Sequence, residues 1–531
     1  MGKRSRHGGP PAGYAPYQIG EERVLDIRSY QAMRREFVRL NGVRRTGRRH
    51  AAYESFTGSS RRLPISAVVF FWAILAIASL AACDAVEEAA SDSPAAAPLS
   101  IPALLEPAFD GAGVAHYDLK IGESRHDYGQ TALTETYSYN GMSVLGPTLR
   151  LRSGDSVVIS VTNELDEVTT THWHGADVPA EDDGGPHSLI EPGATWIADF
   201  DVIQPAATLW YHPHIHGSTA EHVYRGAAGL IIIEDDNSAA ATLPATYGVD
   251  DIPVIIQDRE FTGDGQLDFA IDDGGDGKLY STLTVNGTIN PFVEVPEGLV
   301  RLRLLNGSQA RIYHLGVEGA GMTMIASDGG YLASPVALEQ LVLAPGDRAE
   351  IVVHVGMESA ALVDSRLGRV LELRPNGATS GTGLLPDKLA SIERISASEI
   401  TVDRSFDMDD ERNFWEFGPR WAINGVQFDM SRIDFRVQLG DTERWTLSGD
   451  EGQHVFHPHQ IQFQILSING EPPPPEESGW EDTVLVNEER EVVIIARFNT
   501  YAAEDTPYMF HCHILDHEDL GMMGQFLVID E

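Results

Sequence analysis

Three copies of one pattern run through the chain and constrain its fold more than any other feature. Each copy begins at an Asn-Gly pair, at Asn140, Asn286 and Asn424, and continues into an extended segment, a glycine-containing turn and a strand. Asn-Gly favours tight turns between β-strands because both residues tolerate positive φ. Short β-branched runs bounded by Gly and Pro surround these copies, and long helical periodicity is scarce. The sequence therefore predicts an all-β fold of three repeated β-sandwich domains.

The repeat also predicts where the domains lie. We expect domain 1 at residues 101–245, domain 2 at 246–395 and domain 3 at 396–531. The Gly- and Ser-rich stretch at 375–388 is typical of a linker or loop near the second boundary.

Histidine is concentrated in four His-x-His pairs. Alternate residues of a strand point to the same face, so each pair would present two imidazoles together. One such pair is compatible with structural zinc or with chance, but four pairs with a cysteine inside one of them favour a larger metal cluster. The pairs are His172 and His174, His212 and His214, His457 and His459, and His511 and His513.

Cys512 lies between His511 and His513 and is one of only two cysteines in the chain. On a strand, Cys512 would point away from the face that carries the two histidines. His517 and Met522 follow within ten residues, and His454, three residues before the His457/His459 pair, can supply a second imidazole. Two imidazoles, a thiolate and a weak thioether are the donor set of a type 1, or blue, copper site.

Taken together, these motifs resemble the multicopper oxidase family over roughly residues 100–531. The resemblance is closest to its three-domain bacterial laccase and cuprous oxidase branch, on the segments HWHGADVPAEDDGGP, QPAATLWYHPHIHG and HCHILDHEDLGMM. It implies three cupredoxin-like Greek-key β-sandwich domains and four copper ions. It also implies an enzyme that couples four one-electron oxidations of a substrate to the reduction of dioxygen to two waters.

The resemblance assigns every ligand position, with the cluster between domains 1 and 3 and type 1 copper inside domain 3. Type 2 copper would take His172 and His457; one type 3 copper would take His174, His212 and His513; the other would take His214, His459 and His511; type 1 copper would take Cys512, His454, His517 and Met522. The middle copy offers only a solitary His314 at the comparable place. His216 continues the alternation of His212 and His214, and we expect it to support the cluster from outside.

Three residues have expected catalytic roles. Cys512 would carry electrons to the cluster through its covalent links to the neighbouring histidines. The resemblance offers Asp183 and Glu518 as proton relays, because dioxygen reduction consumes protons. The alternative for either carboxylate is that it only accepts hydrogen bonds that orient a ligand.

The substrate is less constrained. A phenol or a reduced metal ion, Cu(I) or Fe(II), fits the resemblance, and a cuprous oxidase for copper detoxification is the alternative. Only 11 Met occur in the chain, with no cluster beyond Met522-Met523, which argues against a Met-rich Cu(I) site. Asp450 and Glu451 precede His454 and are candidate docking groups. A copper-free structural relative would require lost ligands, and an electron-transfer protein would not need the eight paired histidines.

The first hundred residues differ from the rest of the chain in charge and hydropathy. Residues 1–62 hold 14 Lys and Arg against 5 Asp and Glu, and an uncharged apolar run follows. We interpret residues 1–83 as a basic leader with a lipoprotein-type export signal, because Leu80 to Cys83 resembles a lipobox and Ser60-Arg61-Arg62 resembles part of a twin-arginine signal. The apolar run at 65–82 is also just long enough for a permanent anchor. The composition of residues 84–100 predicts a disordered tether. With the signal, this predicts an exported protein, periplasmic or extracytoplasmic, that is tethered to the membrane through lipidated Cys83 or the N-terminal segment.

The remainder is strongly acidic. Residues 63–531 contain 24 Lys and Arg against 74 Asp and Glu, a net charge of −50. This charge excludes nucleic acid as a favoured partner, since phosphate binding needs the opposite sign. It is compatible with a solvated acidic surface and also with attraction of cationic substrates.

Overall fold

The computed structural model describes residues 95–236, 242–272, 275–381, 383–411 and 420–530. Their secondary structure is dominated by β-strands, so the all-β prediction is confirmed. The α-helices are short, α1 at Thr219–Arg225 and α2 at Leu515–Asp519. None of the helices in the described ranges is long and apolar enough to cross a bilayer. The predicted leader and signal at 1–83, with Cys83, lie outside the described residues.

The first set of strands forms two five-stranded sheets. After a short strand β1 (Ala97–Pro98), the strands are β2 (Leu104–Leu105), β3 (Ala108–Phe109), β4 (Ala115–His126), β5 (Thr134–Tyr139), β6 (Thr148–Arg152), β7 (Ser156–Asn163), β8 (His172–His174), β9 (Thr195–Asp201), β10 (Ala207–His212) and β11 (Gly229–Glu234). One sheet has the order β2-β6-β11-β10-β8, and the other has β3-β4-β7-β9 with β5 on β4. A short 3-10 helix lies at Ala180–Asp182.

The second set forms one branched sheet of twelve strands, which includes β1. Its other strands are β12 (Asp251–Arg259), β13 (Thr282–Val285), β14 (Thr288–Ile289), β15 (Pro291–Asn306), β16 (Tyr313–Glu318), β17 (Met322–Ser327), β18 (Gly330–Leu338), β19 (Leu341–Leu343), β20 (Arg348–Val355), β21 (Ala360–Asp364) and β22 (Gly368–Thr379). The long strand β15 joins two halves, because β12 and β20 pair with one part of it and β22 pairs with another.

The third set again forms two five-stranded sheets. Its strands are β23 (Val402–Glu411), β24 (Arg420–Ile423), β25 (Phe435–Gln438), β26 (Thr442–Gly449), β27 (His454–Pro458), β28 (Phe463–Ile468), β29 (Val484–Val486), β30 (Val492–Arg497), β31 (Ala503–Cys512) and β32 (Met523–Ile529). The sheet orders are β24-β23-β26-β30-β28 and β25-β32-β31-β27-β29. Short 3-10 helices lie at Ala397–Glu399 and Pro475–Glu477. Strands β2 to β32 fall within the predicted domain ranges, and the precise boundary residues stay predictions.

The predicted tether is wrong at its C-terminal end. Strand β1 pairs in parallel with Pro291 and Phe292 of the middle sheet. The Leu99 amide donates to the Phe292 carbonyl at 2.7 Å, and the Leu99 side chain is buried in the middle hydrophobic core. The composition of the whole stretch at 84–100 suggested disorder, but backbone pairing and one buried leucine hold residues 97–100 against the folded body. Residues 84–94 lie outside the described part of the chain.

Asn140, Asn286 and Asn424 build the same turn in all three strand sets. Their φ angles of 54°, 49° and 56° are positive, as are those of the following glycines. In each case the asparagine Oδ1 accepts a backbone amide of the neighbouring strand and Nδ2 donates to the carbonyl two residues earlier; for Asn286 the partners are Ile255 and Pro253, at 2.8 and 2.9 Å. The Asn-Gly repeat is therefore a repeated hydrogen-bonding device as well as a turn signal.

Burial identifies the strands that lie between layers. Strand β7 alternates between buried and more exposed residues, as expected for a sheet with one face on its own core. By contrast, every residue of β8 and β10 is buried. Trp173 and Tyr211 pack in the first core, while the alternate residues of these strands face the other way. The polar histidines of β8 and β10 therefore lie on an inner face that is also closed off from solvent.

We predict that Asn286→Ala destabilises the fold by about 2–4 kcal/mol, because alanine is strained at positive φ and two buried backbone groups lose their partner. Asn469→Ala is the matched control, since Asn469 has the same turn (φ 52°) and equivalent hydrogen bonds but is exposed to water. Thermal unfolding of the copper-free protein measures both. Equal losses in the two variants would contradict a special role for the buried turn.

Candidate metal centre

Two neighbouring strands hold the histidines of the first strand set. His212 on β10 pairs directly with His172 on β8, and Trp210 pairs with His174. Directly opposed residues of antiparallel strands point to the same face, so this pairing brings His172 and His212 together. His214 follows the end of β10, where its amide donates to Thr170 Oγ1 at 2.6 Å.

Strands β27 and β31 do the same in the third strand set. His457 pairs with His511, and Phe456 pairs with Cys512. The alternation places His511 with the other cluster histidines, while Cys512 Sγ lies near His454 and His517. The structure thus brings together all eight paired histidines in one place and His454, Cys512 and His517 in another.

The eight imidazoles meet within a small, fully buried space. Groups of three with ligand atoms within 4.8 Å of one another are His174, His212 and His513; His214, His459 and His511; and His172, His174 and His457. His511 Nε2 lies 3.2 Å from His214 Nε2 and 3.4 Å from His459 Nε2. Nitrogens bound to one metal ion at about 2.0–2.1 Å are separated by similar distances.

The outer nitrogens of these rings are held by hydrogen bonds. Nδ1 of His172, His212, His457 and His511 donates to a backbone carbonyl, at 2.8, 2.8, 2.7 and 3.1 Å respectively. A hydrogen bond at one ring nitrogen fixes the proton there and leaves the lone pair on the other.

The inner nitrogens have no protein partner outside the histidine cluster. Within the described residues, inward nitrogens without a hydrogen bond include Nε2 of His172, His212 and His457, and Nδ1 of His174. Nε2 of His214, His459 and His511 lie against one another, at 3.2 and 3.4 Å. Both ring nitrogens of His513 are also unpaired. Buried polar atoms are rarely left unpaired without a reason, and lone pairs converging on a common space are the property of a metal site.

Burial favours the neutral, metal-binding form of seven of these imidazoles. Burial, reinforced by neighbouring imidazoles, lowers the pKa of six rings well below its usual value: His174, His212, His214, His457, His459 and His513. Burial lowers the pKa of His511 to about 3. A cluster of neutral imidazoles in a buried space binds a cation without competition from protons at neutral pH.

The sulfur site lies on the other face of β31. Cys512 Sγ is 3.5 Å from His517 Nδ1 and 3.9 Å from His454 Nδ1, and it accepts a hydrogen bond from the Val455 amide at 3.4 Å. Burial alone would raise the pKa of the Cys512 thiol, but the two imidazoles outweigh it and lower the pKa to about 6. The Met522 side chain is buried, and its carbonyl accepts the Cys512 amide. A thiolate is therefore favoured at this position.

Asp183 lies against the histidine cluster and is almost fully buried. Its Oδ2 accepts from His459 Nδ1 at 2.7 Å, and its backbone carbonyl accepts from His172 Nδ1. Oδ1 is 3.5 Å from His172 Nδ1 and has no hydrogen-bond partner among the described residues. One carboxylate thus touches two histidines and retains one free oxygen.

Glu518 approaches the cluster from α2. Its two carboxyl oxygens lie 3.4 Å from His214 Nδ1 and 3.3 Å from His511 Nδ1, and neither makes a hydrogen bond within the described chain. Burial, and then the charge of Asp519, raises the pKa of Glu518 well above its usual value. A carboxyl group whose pKa is raised in this way can hold a proton at neutral pH.

Several residues at the site had no sequence signal. Asp482 contacts His174, Arg348 contacts Asp482, and Trp421 stacks on His517 with ring centroids 3.8 Å apart. Each is a single residue without local spacing to a ligand, so long-range folding alone reveals it. The expected support role of His216 is wrong: its side chain is exposed and packs on Phe428, because the chain turns away after His214.

Comparison with known proteins agrees with this geometry. Multicopper oxidase family models match residues 121–238 and 396–531. The multicopper oxidase mco of Staphylococcus epidermidis is 37% identical over 436 residues, which is 80% of this chain and 91% of that protein. This chain belongs to the multicopper oxidase family.

Other relatives of this multicopper oxidase span most of its length. The cell division protein FtsP of Escherichia coli (strain K12) is 37% identical, covering 81% of this chain and 92% of that protein. The solved structure of the laccase-like multi-copper oxidase CueO from Ochrobactrum sp. is 38% identical and has a TM-score of 0.75, covering 81% of this chain and all of that one. The chain is therefore a copper oxidoreductase with dioxygen as acceptor, and its fold is the cupredoxin-like, multi-domain fold of the family.

Proposed function

We propose that this oxidase binds four copper ions and couples four one-electron oxidations of a phenolic or metal-ion substrate to the reduction of dioxygen to two waters. Type 2 copper is assigned to His172 and His457, and type 1 copper to Cys512, His454, His517 and Met522. The two type 3 ions are assigned to His174, His212 and His513, and to His214, His459 and His511. Bound copper supplies one-electron redox chemistry and the site where dioxygen is reduced.

The observation that carries the proposal is the position of Cys512. Its sulfur faces His454 and His517, while its chain neighbours His511 and His513 both belong to the histidine cluster. The chain itself thus links the sulfur site to the cluster through a few covalent bonds on either side of one residue. An electron-transfer protein would need the sulfur site alone, and a copper-free structural protein would need neither set of inward nitrogens.

The surroundings of His454 and His517 support Asp450 as the place where a substrate docks to deliver its electron to the sulfur site. His517 Nε2 donates to the Gly275 carbonyl at 3.1 Å, and Trp421 covers the ring. His454 Nε2 donates to Asp450 Oδ1 at 3.0 Å. Both imidazoles are fully buried, whereas the Asp450 side chain is 24% exposed. Asp450 is therefore the group next to the sulfur site that a substrate in solvent can reach.

A second carboxylate approaches the same point. Asp450 Oδ1 and Asp276 Oδ1 lie 3.0 and 3.6 Å from the position of a Cβ built on Gly452. Oxygen donors on neighbouring carboxylates suit a metal cation, and a single carboxylate also accepts a hydrogen bond from a phenol hydroxyl. Because soft Cu(I) prefers sulfur ligands, two carboxylates favour Fe(II) over Cu(I), and a phenol is also a substrate through Asp450. Cu(I) as the physiological substrate would make the protein a cuprous oxidase.

Asp183 and Glu518 are assigned as proton relays. Reduction of one dioxygen to two waters consumes four protons and four electrons, and the cluster is buried away from solvent. Glu518 lies beside His214 and His511 with its pKa raised by burial, and Asp183 has an unpaired oxygen beside His172. Each carboxyl group therefore offers a place from which a proton reaches the buried space.

We also propose that the protein is exported and held at the membrane through lipidated Cys83 or the N-terminal segment. The lipobox-like Leu80 to Cys83 and the basic leader support this. Export also leaves neither cysteine for a disulfide, since Cys83 would carry lipid and Cys512 is a copper ligand.

Oxygen uptake with Cu(I), Fe(II) and a phenol, measured side by side, tests the function. Wild-type protein should consume one dioxygen per four electrons. Asp450→Asn should lose about 10- to 100-fold in kcat/KM for the metal ions, because a charged ligand is lost. It should change little for the phenol, because the amide oxygen still accepts a hydrogen bond.

Glu451, the other candidate docking group, is exposed, and it is Asp450 that is hydrogen-bonded to His454. Glu451→Gln is therefore the matched control for Asp450→Asn, since it removes the same charge from the adjacent side chain. We expect near wild-type rates with this variant on all three substrates. No oxygen uptake by the copper-loaded wild type with any substrate would reject the oxidase. Equal losses for metal ions and phenol in Asp450→Asn would reject cation docking at Asp450.

Glu518→Gln and Asp183→Asn test the relays. Both keep shape and remove a transferable proton, so copper loading, the blue band and reduction by substrate should be normal. Reoxidation by dioxygen should slow by about 100-fold or more, as measured by stopped-flow recovery of the blue band.

Asp364→Asn controls for loss of a buried carboxylate, because Asp364 accepts the His314, Arg366 and Leu367 amides without contacting a cluster histidine. Its reoxidation rate should stay near that of wild type. Wild-type reoxidation in Glu518→Gln or Asp183→Asn would remove that residue from the relay. Failure of either variant to load copper would show that the residue orients ligands instead.

A further inference from the structure

Arg348 opens strand β20 in the middle strand set, and its guanidinium is fully buried. All five of its N–H groups have an acceptor. Nε donates to the Thr208 carbonyl at 3.1 Å; Nη1 donates to the Gly346 carbonyl at 3.1 Å and to Asp482 Oδ1 at 2.6 Å; Nη2 donates to the Asp328 carbonyl at 3.2 Å and to Asp482 Oδ2 at 2.5 Å. The bonds to Asp482 form a two-pronged ion pair of fixed geometry.

The partners of Arg348 come from all three strand sets. Thr208 is on β10, the strand that ends in His212, and Asp328 and Gly346 belong to the middle set. Asp482 precedes β29 of the third set. One buried side chain thus contacts both of the strand sets that carry the histidine cluster.

Asp482 in turn holds two cluster histidines. Its Oδ1 lies 3.1 Å from His174 Nε2, and its backbone carbonyl accepts from His457 Nδ1 at 2.7 Å. The two rings stack with centroids 3.8 Å apart and planes 6° from parallel. These hydrogen bonds leave His174 Nδ1 and His457 Nε2 as the inward, unpaired atoms. Asp482 therefore sets which nitrogen each of these rings presents to the cluster.

The middle set also fixes the backbone of Asp482. Asp328 Oδ2 accepts the amides of Asp482 and Thr483 at 3.3 and 3.1 Å, and Asp328 Oδ1 accepts the Arg348 amide at 2.8 Å. The Asp482 carboxylate and carbonyl are thereby held on both sides by residues of the middle strand set. Neither group can move without breaking a buried hydrogen bond.

We infer that Arg348 is the positioning residue through which the middle strand set, acting on Asp482, aligns His174 and His457 for copper. The inference rests on the proposed ligand assignment. None of the ligand groups found in the described chain contains a residue of the middle strand set. The middle strand set therefore contributes to the cluster by orienting its ligands. It does so through the planar guanidinium of Arg348, which lies between the first and third sets.

Close packing explains why arginine is needed at this position. A Cβ built on Gly175, directly after His174, would lie 2.5 Å from Asp482 Oδ2 and 2.8 Å from Arg348 Nη2. A Cβ on Gly346 would lie 3.1 Å from the His513 ring. The space around the guanidinium is filled on both sides. Lysine keeps the charge, but its single ammonium cannot make the paired contacts to Asp482 and also reach Thr208.

The test uses full-length, copper-loaded Arg348→Lys. We expect the copper dissociation constant of the type 2 site to rise about 10- to 100-fold, as is usual when a residue that orients a metal ligand is lost. Chelator competition followed by electron paramagnetic resonance measures this, with a changed type 2 hyperfine splitting in the copper that remains. The blue band of the type 1 site should be unchanged, because Arg348 contacts none of its ligands.

Arg301→Lys is the matched control. Arg301 is also buried in the middle strand set and pairs with Glu350, but it does not contact Asp482. It should lower the thermal unfolding midpoint by a similar amount while leaving the type 2 spectrum unchanged. A type 2 change of equal size in Arg301→Lys would show a general structural effect and overturn the inference.

Asp482→Asn provides a second variant if Arg348→Lys does not fold. It keeps the shape of the side chain, removes the ion pair, and should weaken type 2 copper in the same range. Wild-type type 2 affinity and hyperfine splitting in either folded variant would overturn the inference. Absence of any type 2 signal in copper-loaded wild type would instead reject the ligand assignment of the proposed function.

Discussion

Eight imidazoles buried in one small space are the constraint on which the rest of this structure depends. Burial removes water from their ring nitrogens. The outer nitrogens instead donate hydrogen bonds to carbonyl and carboxylate oxygens of the protein. The inner nitrogens either have no hydrogen bond within the described chain or lie against one another. Such an arrangement is costly for a protein alone and favourable once cations fill the space, so metal binding and the close approach of the first and third strand sets stabilise each other.

The middle strand set contributes buried charge. Arg301 and Arg303 pair with Glu350 and Asp251, and Arg303 also donates to Thr208 on β10. Arg348 extends this network to Asp482. Removing one partner of a buried ion pair typically costs about 3–5 kcal/mol, because the other charge stays buried and unpaired. The network thus makes the relative position of the histidine strands specific, beyond what apolar packing provides.

Local sequence patterns predicted the parts of the structure that depend on local geometry. Asn-Gly turns appeared where Asn140, Asn286 and Asn424 required positive φ, and strand alternation separated Cys512 from His511. These features follow from the dihedral preferences of a few neighbouring residues. The family resemblance added the grouping of distant histidines, which spacing alone cannot supply.

The remaining features depend on contacts across the fold. Arg348 and Asp482 are 134 residues apart, and neither lies in a recognisable motif. The Gly275 carbonyl accepts a hydrogen bond from His517, which lies 242 residues further along the chain. Residues 97–100 were predicted to be part of a disordered tether, yet Ala97 and Pro98 pair with a strand of the middle sheet. Single residues brought together by long-range packing carry no periodicity, so only the folded structure reveals them.

The most direct measurement is a crystal structure of the copper-loaded protein with anomalous diffraction recorded on both sides of the copper absorption edge. We expect one copper peak between His454, Cys512 and His517, and three peaks among the eight buried histidines, close to the unpaired inner nitrogens. A fully copper-loaded crystal without peaks inside the histidine cluster, or with the inner nitrogens hydrogen-bonded to protein groups, would contradict it.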